Sequence, residues 1–202
     1  PGKALEYFFW TRGPVNWCDD SWDGDDLDVN WASSSRLYKG DASANNHPVW
    51  NWGDGNGYYW DRYFARIRNC AVFLQNIPTA AVTNETDRSR WTAEAHLLRA
   101  YYYMELLSWF GTGLPLVDAP YGLDTDFATV PKASYYETVQ FIIKDCDAAL
   151  ACPDLPWRIE NGSESLRVTK ALAWALKAKA IVFAASPLYN AGENHWDEAY
   201  KV

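Results

Sequence analysis

A surplus of basic residues is missing from this chain: 18 Lys and Arg stand against 26 Asp and Glu, for a net charge of −8. Binding phosphate needs clustered positive charge, so nucleic acid is excluded as a ligand class, and acidic polymers and anionic membranes are disfavoured. A membrane-spanning run is also missing. The longest mostly apolar stretch, Ala171 to Leu188, is interrupted by Lys177 and Lys179. No charged-then-apolar leader follows Pro1, and the chain is read as a piece of a longer protein, incomplete at both ends. Cysteine is sparse: Cys18, Cys70, Cys146 and Cys152 have no CxxC spacing and no nearby His, which excludes a thiolate metal site. Cys70 and Cys146 fall on apolar helix faces and are expected as buried thiols, with a Cys146–Cys152 bridge across a helix end left open. His47, His96 and His195 lie far apart and are assigned no metal role.

Methionine occurs once, while Trp occurs twelve times and Tyr thirteen. That is a bias toward rigid rings with a polar handle. It peaks in HPVWNWGDGNGYYWDRYF, residues 47–64, where seven of eighteen residues are aromatic and Val49 alone is aliphatic. A packed core fills the gaps between rings with aliphatic side chains, so part of this cluster is expected to serve another purpose.

Residues 10–57 are rich in Asp, Asn, Ser, Gly and Trp, with little periodicity. So long a segment without helix or strand is usually functional or disordered, and its Trp content favours an ordered excursion. From residue 58 onward the pattern is helical. Trp60, Tyr63, Phe64, Ile67, Ala71 and Leu74 follow one helical face, closed by Pro78. A second helix is predicted from about Arg90 to Trp109, apolar on so wide a stripe that it must be buried against more than one neighbour. A third begins at Ser134, with Glu137 at capping-box spacing, and carries Tyr136, Val139, Ile142, Ile143, Cys146, Ala149 and Leu150 as its core stripe. A fourth, Thr169 to Ala185, is alanine-rich and stopped by Ser186-Pro187. Arg99 has no carboxylate at helical spacing and is expected to find its partner on a neighbouring helix or loop. Two antiparallel helix pairs separated by an insertion, Gly111 to Pro131, read as an all-α, repeat-like α-solenoid.

Four segments in this order resemble the SusD/RagB-like outer-membrane nutrient-binding lipoproteins of Bacteroidetes. They are WDRYFARIRNCAVFLQNIP (60–78), AEAHLLRAYYYMELLSWFGTGLPLV (93–117), YETVQFIIKDCDAALACPDLP (136–156) and RVTKALAWALKAKAIVFAASPLYNAGENHWDEA (167–199). Asn69, Leu74, Ile77, Glu94, Leu98, Arg99, Ala100, Tyr103, Leu106, Phe110, Gly111, Pro115 and Leu116 carry the family pattern, and ASPLYN, Ala185 to Asn190, is its most distinctive piece. The resemblance implies one SusD-like domain over 1–202, with tetratricopeptide-like helix pairs over 58–202 and the excursion 10–57 as an inserted loop. It also implies a non-catalytic lid over a SusC-like TonB-dependent transporter, on the extracellular face of the outer membrane. Most such proteins take oligosaccharide or polysaccharide, some peptide. Membrane attachment would be through a lipid anchor that this chain does not contain.

The residues themselves place a ligand site in the excursion. Trp50 and Trp52 alternate, which puts both rings on one side of an extended strand, with Asn51, Asp54 and Asn56 as polar partners. Trp22, Trp31 and Tyr38 are lesser candidates, while Tyr59, Trp60, Tyr63 and Phe64 belong with the helix core. Asp23, Asp25 and Asp28 lie close in sequence in an acidic run where Gly24 is expected to supply a turn, and calcium is the one cofactor considered. Counted from Asp19 the run fits an EF-hand at positions five and six, then fails with Leu27 at nine and Asn30 at twelve. Two other classes stay open: a helical glycoside hydrolase using a pair among Asp19, Asp20, Asp23 and Asp54, and a peptide-binding or protein-interaction helical scaffold.

Overall fold

Side-chain caps set where the helices begin. In the computed structural model, residues 58–202 are described, and within them five α-helices follow one another. These are α1 (Tyr58–Asn76), α2 (Glu85–Phe110), α3 (Tyr135–Ala151), α4 (Lys170–Ala185) and α5 (Trp196–Lys201). The chain divides into two compact units, Pro1–Arg62 and Tyr63–Val202. Apart from the first turn of α1, every described residue belongs to the second.

Pro78 falls in a 3-10 turn, Ile77–Thr79, directly after α1. The Asn84 side chain then accepts from Thr86 N (3.0 Å) and Asp87 N (3.4 Å), starting α2 with Glu85 and Asp87 against its positive end. The helix thus starts five residues before Arg90, because its first turn is polar and carries no apolar period. Arg88 closes the α1–α2 turn by donating to the carbonyls of Ile77, Ala80 and Val82. At the far end Gly111, at φ 67° and ψ −134°, takes a positive-φ conformation that favours glycine, and its N–H donates to Leu107 O as α2 ends. The capping box at α3 is complete: Ser134 N donates to Glu137 Oε2 (2.7 Å) and Glu137 N to Ser134 Oγ (3.2 Å). Thr169 caps α4.

The core lies between α2 and its neighbours. Tyr102, Tyr103, Leu97, Met104, Leu106 and Leu107 are all buried, so α2 is enclosed on most of its circumference. Tyr63 of α1 packs on Tyr102 with ring centroids 5.9 Å apart, and Phe64 meets Tyr103 edge-on at 6.3 Å. On the other side α2 packs against α3, α3 against α4, and α5 against α4. Val139, Ile142, Cys146 and Ala149 of α3 are fully buried, as their stripe predicts. Tyr136 is a correction. It is half-buried, stacks on His195 at 4.0 Å and donates to Glu198, while its neighbour Tyr135 is buried and stacks on Tyr189 of the ASPLYN segment at 4.1 Å. The alanines of α4 divide between its faces. Ala173, Ala180, Ala184 and Ala185 are buried, while Ala171 and Ala175 face outward beside Trp174, Val182 and Phe183.

The α2–α3 connection is closed at its neck by an isolated antiparallel bridge between Leu114 and Ala133. Among the described residues the structure contains no β-strand.

Candidate functional site

The side chains singled out for ligand binding all precede α1. Trp22, Trp31, Tyr38, Trp50, Asn51, Trp52, Asp54 and Asn56, together with Asp23, Asp25 and Asp28, lie outside the described residues, as do Cys18 and His47. What is described is the scaffold that follows them. Tyr63 is 4% exposed and Phe64 is half-buried, and their contacts with Tyr102 and Tyr103 place both rings on the packing side of α1; Trp60 is half-buried.

The most strongly built feature of that scaffold is an ion cluster centred on Arg99. Its Nε donates to Asp145 Oδ2 at 2.7 Å and its Nη2 to Asp145 Oδ1 at 2.8 Å, a two-pronged pair between α2 and α3. Nη1 donates to the carbonyls of Val117 (3.3 Å) and Asp118 (3.0 Å), and Nη2 also reaches Asp118 Oδ1 (3.3 Å). Burial alone would push the Arg99 charge out; the hydrogen bonds and charge of Asp145 reverse this and hold its pKa above the ordinary value. His96 Nδ1 sits 2.7 Å from Asp145 Oδ1, and Lys144 closes on Asp118 at 3.0 Å. Tyr103 adds a second clamp, donating to Pro115 O (2.9 Å) while its oxygen accepts from Val117 N (2.7 Å). The cluster therefore fixes the start of the 111–134 connection to the helices. Its donors and acceptors are spent on one another, which is the arrangement of a strut. The sequence foresees the partner's location for Arg99 without naming it. The signal was Asp145 itself, a carboxylate between Ile142 and Cys146 on a buried face.

A second ionic group joins α2 to the α3–α4 linker. Glu94 receives Arg90 (3.2 Å) and Arg167 (2.7 Å), and Glu164 receives the same two arginines (3.2 and 3.0 Å). Nearby, a groove of about 390 Å³ runs between the start of α2 and the end of α3, lined by Arg88, Ser89, Thr92, His96 and Cys152 among others. Cys152 is half-buried and its Sγ lies 3.1 Å from Ser89 Oγ. Cys146 and Cys152 are both free, so the bridge between them is not formed. Burial raises the Cys70 and Cys146 thiols to about 12, the state of inert core cysteines. Glu105 is also pushed above the usual carboxylate range by burial, which Lys179 and the hydroxyl of Tyr63 at 3.4 Å only partly offset. Among the described residues no group of three or more His, Cys, Asp or Glu is placed to hold a metal ion, and no helix is long and apolar enough to cross a membrane.

Several large apolar side chains point outward. Phe127 (66% exposed), edge-on to Tyr121, and Leu123 decorate the α2–α3 connection; Trp157 (60%) and Leu166 sit on the α3–α4 linker. Trp157 lies between Pro156 and Asn161-Gly162, the same loop chemistry that singles out Trp50.

The helical scaffold is shared with known proteins. A family model described as "Starch-binding associating with outer membrane" matches residues 19–181. A SusD-like protein from Bacteroides fragilis NCTC 9343 is 28% identical with a TM-score of 0.62, over 84% of this chain and 30% of that one. A structure described as a laminarin-binding SusD-like protein is 28% identical with a TM-score of 0.57, over 63% of this chain and 26% of that one. Surface glycan-binding protein A from Bacteroides fluxus is 26% identical with a TM-score of 0.55, again over 63% and 26%. The chain thus spans less than a third of the length of these structures. No curated protein matches it. With one family model covering most of its residues, the chain belongs to the SusD-like family.

Proposed function

We propose that this chain is part of a non-catalytic glycan-binding protein. It would sit on the extracellular face of the outer membrane, lipid-anchored in its full-length form, and pass oligosaccharide to a SusC-like TonB-dependent transporter. The observation that carries the proposal is the family match over residues 19–181, whose description names starch. The laminarin- and glycan-binding names of two structural neighbours support it.

The chemistry of the excursion agrees with a saccharide ligand. A sugar ring offers a flat C–H face and a rim of hydroxyls. An indole such as Trp50 or Trp52 covers the first, and Asn51, Asp54 and Asn56 hydrogen-bond the second. Covering about 60 Å² of ring face at ~25 cal/mol/Å² contributes roughly 1.5 kcal/mol per stacked sugar. A few such contacts, less the cost of immobilising the ligand, give the modest affinity that a protein releasing its cargo requires. Calcium at Asp23, Asp25 and Asp28 would be a structural aid to that loop, tested by melting with and without chelator.

The test is affinity electrophoresis of the chain through gels containing soluble starch or laminarin, run beside a sensitive reducing-sugar assay. Retardation without sugar release is the expected result. Release of reducing ends would make the protein a hydrolase, and retardation by neither these nor a wider glycan panel would remove the glycan reading.

A further inference from the structure

We propose that Trp157, on the α3–α4 linker, is a second saccharide platform of this chain; the proposal rests on the glycan-binding reading above. Its indole is 60% exposed, and among the described residues it makes no hydrogen bond, ring contact or cation–π contact. Trp174 differs: it is 39% exposed and lies under the Lys177 ammonium at 5.6 Å.

The backbone around Trp157 is held from several sides. Leu155, two residues before it, is 1% exposed, and Pro156 O accepts from Lys170 N at 2.9 Å. Further along, Val168 is buried, while Glu164 and Arg167 tie the linker to Arg90 and Glu94 of α2. Cys152 anchors its start against Ser89. A slack linker would let the indole fold onto the protein and leave water. This one presents the ring from a fixed base, which reduces the entropy a ligand must overcome on binding.

The surroundings suit a hydroxylated ligand. Arg158 and Glu160, an exposed ion pair at 3.1 Å, and Asn161 follow within four residues. Asn161 uses its side-chain oxygen on Ser163 N at 3.1 Å, which leaves its amide N–H groups to donate outward. An isolated flat ring rimmed by charged and amide groups matches the C–H face and hydroxyl rim of a sugar. A docking peptide would instead call for a continuous apolar patch, and the residues next to Trp157 on its C-terminal side break one up.

The deciding experiment is affinity electrophoresis of the full chain and its Trp157→Ala and Trp157→Phe variants in soluble starch and laminarin, with melting temperatures measured in parallel. Trp157→Ala is expected to weaken binding about fivefold to tenfold at an unchanged melting temperature, and Trp157→Phe, which keeps a flat ring, to retain most of it. Wild-type retardation of Trp157→Ala overturns the inference and leaves the glycan reading standing. Equal loss in both variants also overturns it, since the ring face would not be what binds. A parent chain retarded by neither polysaccharide overturns the glycan reading and this inference with it.

Discussion

Arg99 and Asp145 expose 1% and 0% of their side chains, whereas Arg90, Glu94, Glu164 and Arg167 expose between 13% and 33%. Both groups join α2 to what packs beside it, and both use arginine on carboxylate. The difference is what each would leave behind if broken. An inner partner left alone is a charge without water, while an outer one is rehydrated. The inner pair therefore acts as an all-or-none strut, and the outer group as an adjustable tether for the linker that carries Trp157.

Breaking the inner pair is the largest expected effect. Asp145→Ala takes from the buried Arg99 guanidinium its two-pronged partner, leaving it only Asp118 and the Val117 carbonyl, and should lower stability by about 3–5 kcal/mol, read from urea or thermal melts. Converting the pair together to Arg99→Met and Asp145→Leu should recover part of that loss. The carbonyls of Val117 and Asp118 would still lack the donor they have now. If Asp145→Ala costs no more than the outer changes, the distinction drawn from burial fails.

Arg167→Ala comes next, at about 1 kcal/mol or less. Because these groups are partly in water, raising the salt concentration should narrow the gap between variant and parent. The Asp145→Ala deficit should hardly respond to salt, which sharpens the contrast without a further mutation.

The smallest effect belongs to Asp118, whose side chain is 61% exposed. Burial pushes its carboxyl up, but Lys144 and Arg99 together outweigh that and hold it below the ordinary range. A depressed carboxyl pKa contributes stability that is complete above the unfolded value and lost as pH falls through the folded one. Asp118→Asn should thus trail the parent by a few tenths of a kcal/mol, ~0.3–0.5, at neutral pH, and the gap should close below about pH 4. A gap that widens in acid would mean the carboxylate is not stabilised by its neighbours.

The helices were legible in the chain wherever a cap coincided with a change of period. Ser134 with Glu137 fixed the start of α3, and Thr169 with Ser186-Pro187 bounded α4. Periodicity places the start of α2 too late because Glu85 to Ser89 are polar; the sign of the true start is the cap residue Asn84. Tyr136 was assigned to the core in place of Tyr135 because two adjacent rings satisfy a helical stripe about equally well; only the contacts with Tyr189 and His195 separate them. The Arg99–Asp145 pair spans 46 residues, and no local spacing encodes it. The candidate site residues before α1 rest on chemistry alone, flat rings among Asn, Asp and Gly, and lie outside the described residues. Trp157 stands without a second ring near it in sequence between Phe141 and Trp174, so no spacing pattern marks it.

The central claim is that saccharide is held by indoles outside the helices while the helix pairs serve as their support. Affinity electrophoresis of Trp50→Ala and Trp52→Ala in the polysaccharide that retards the parent tests it most directly. Each variant is expected to bind about tenfold more weakly, a loss of roughly 1.4 kcal/mol, with the melting temperature of the parent. Parent-strength binding by both variants would contradict the account.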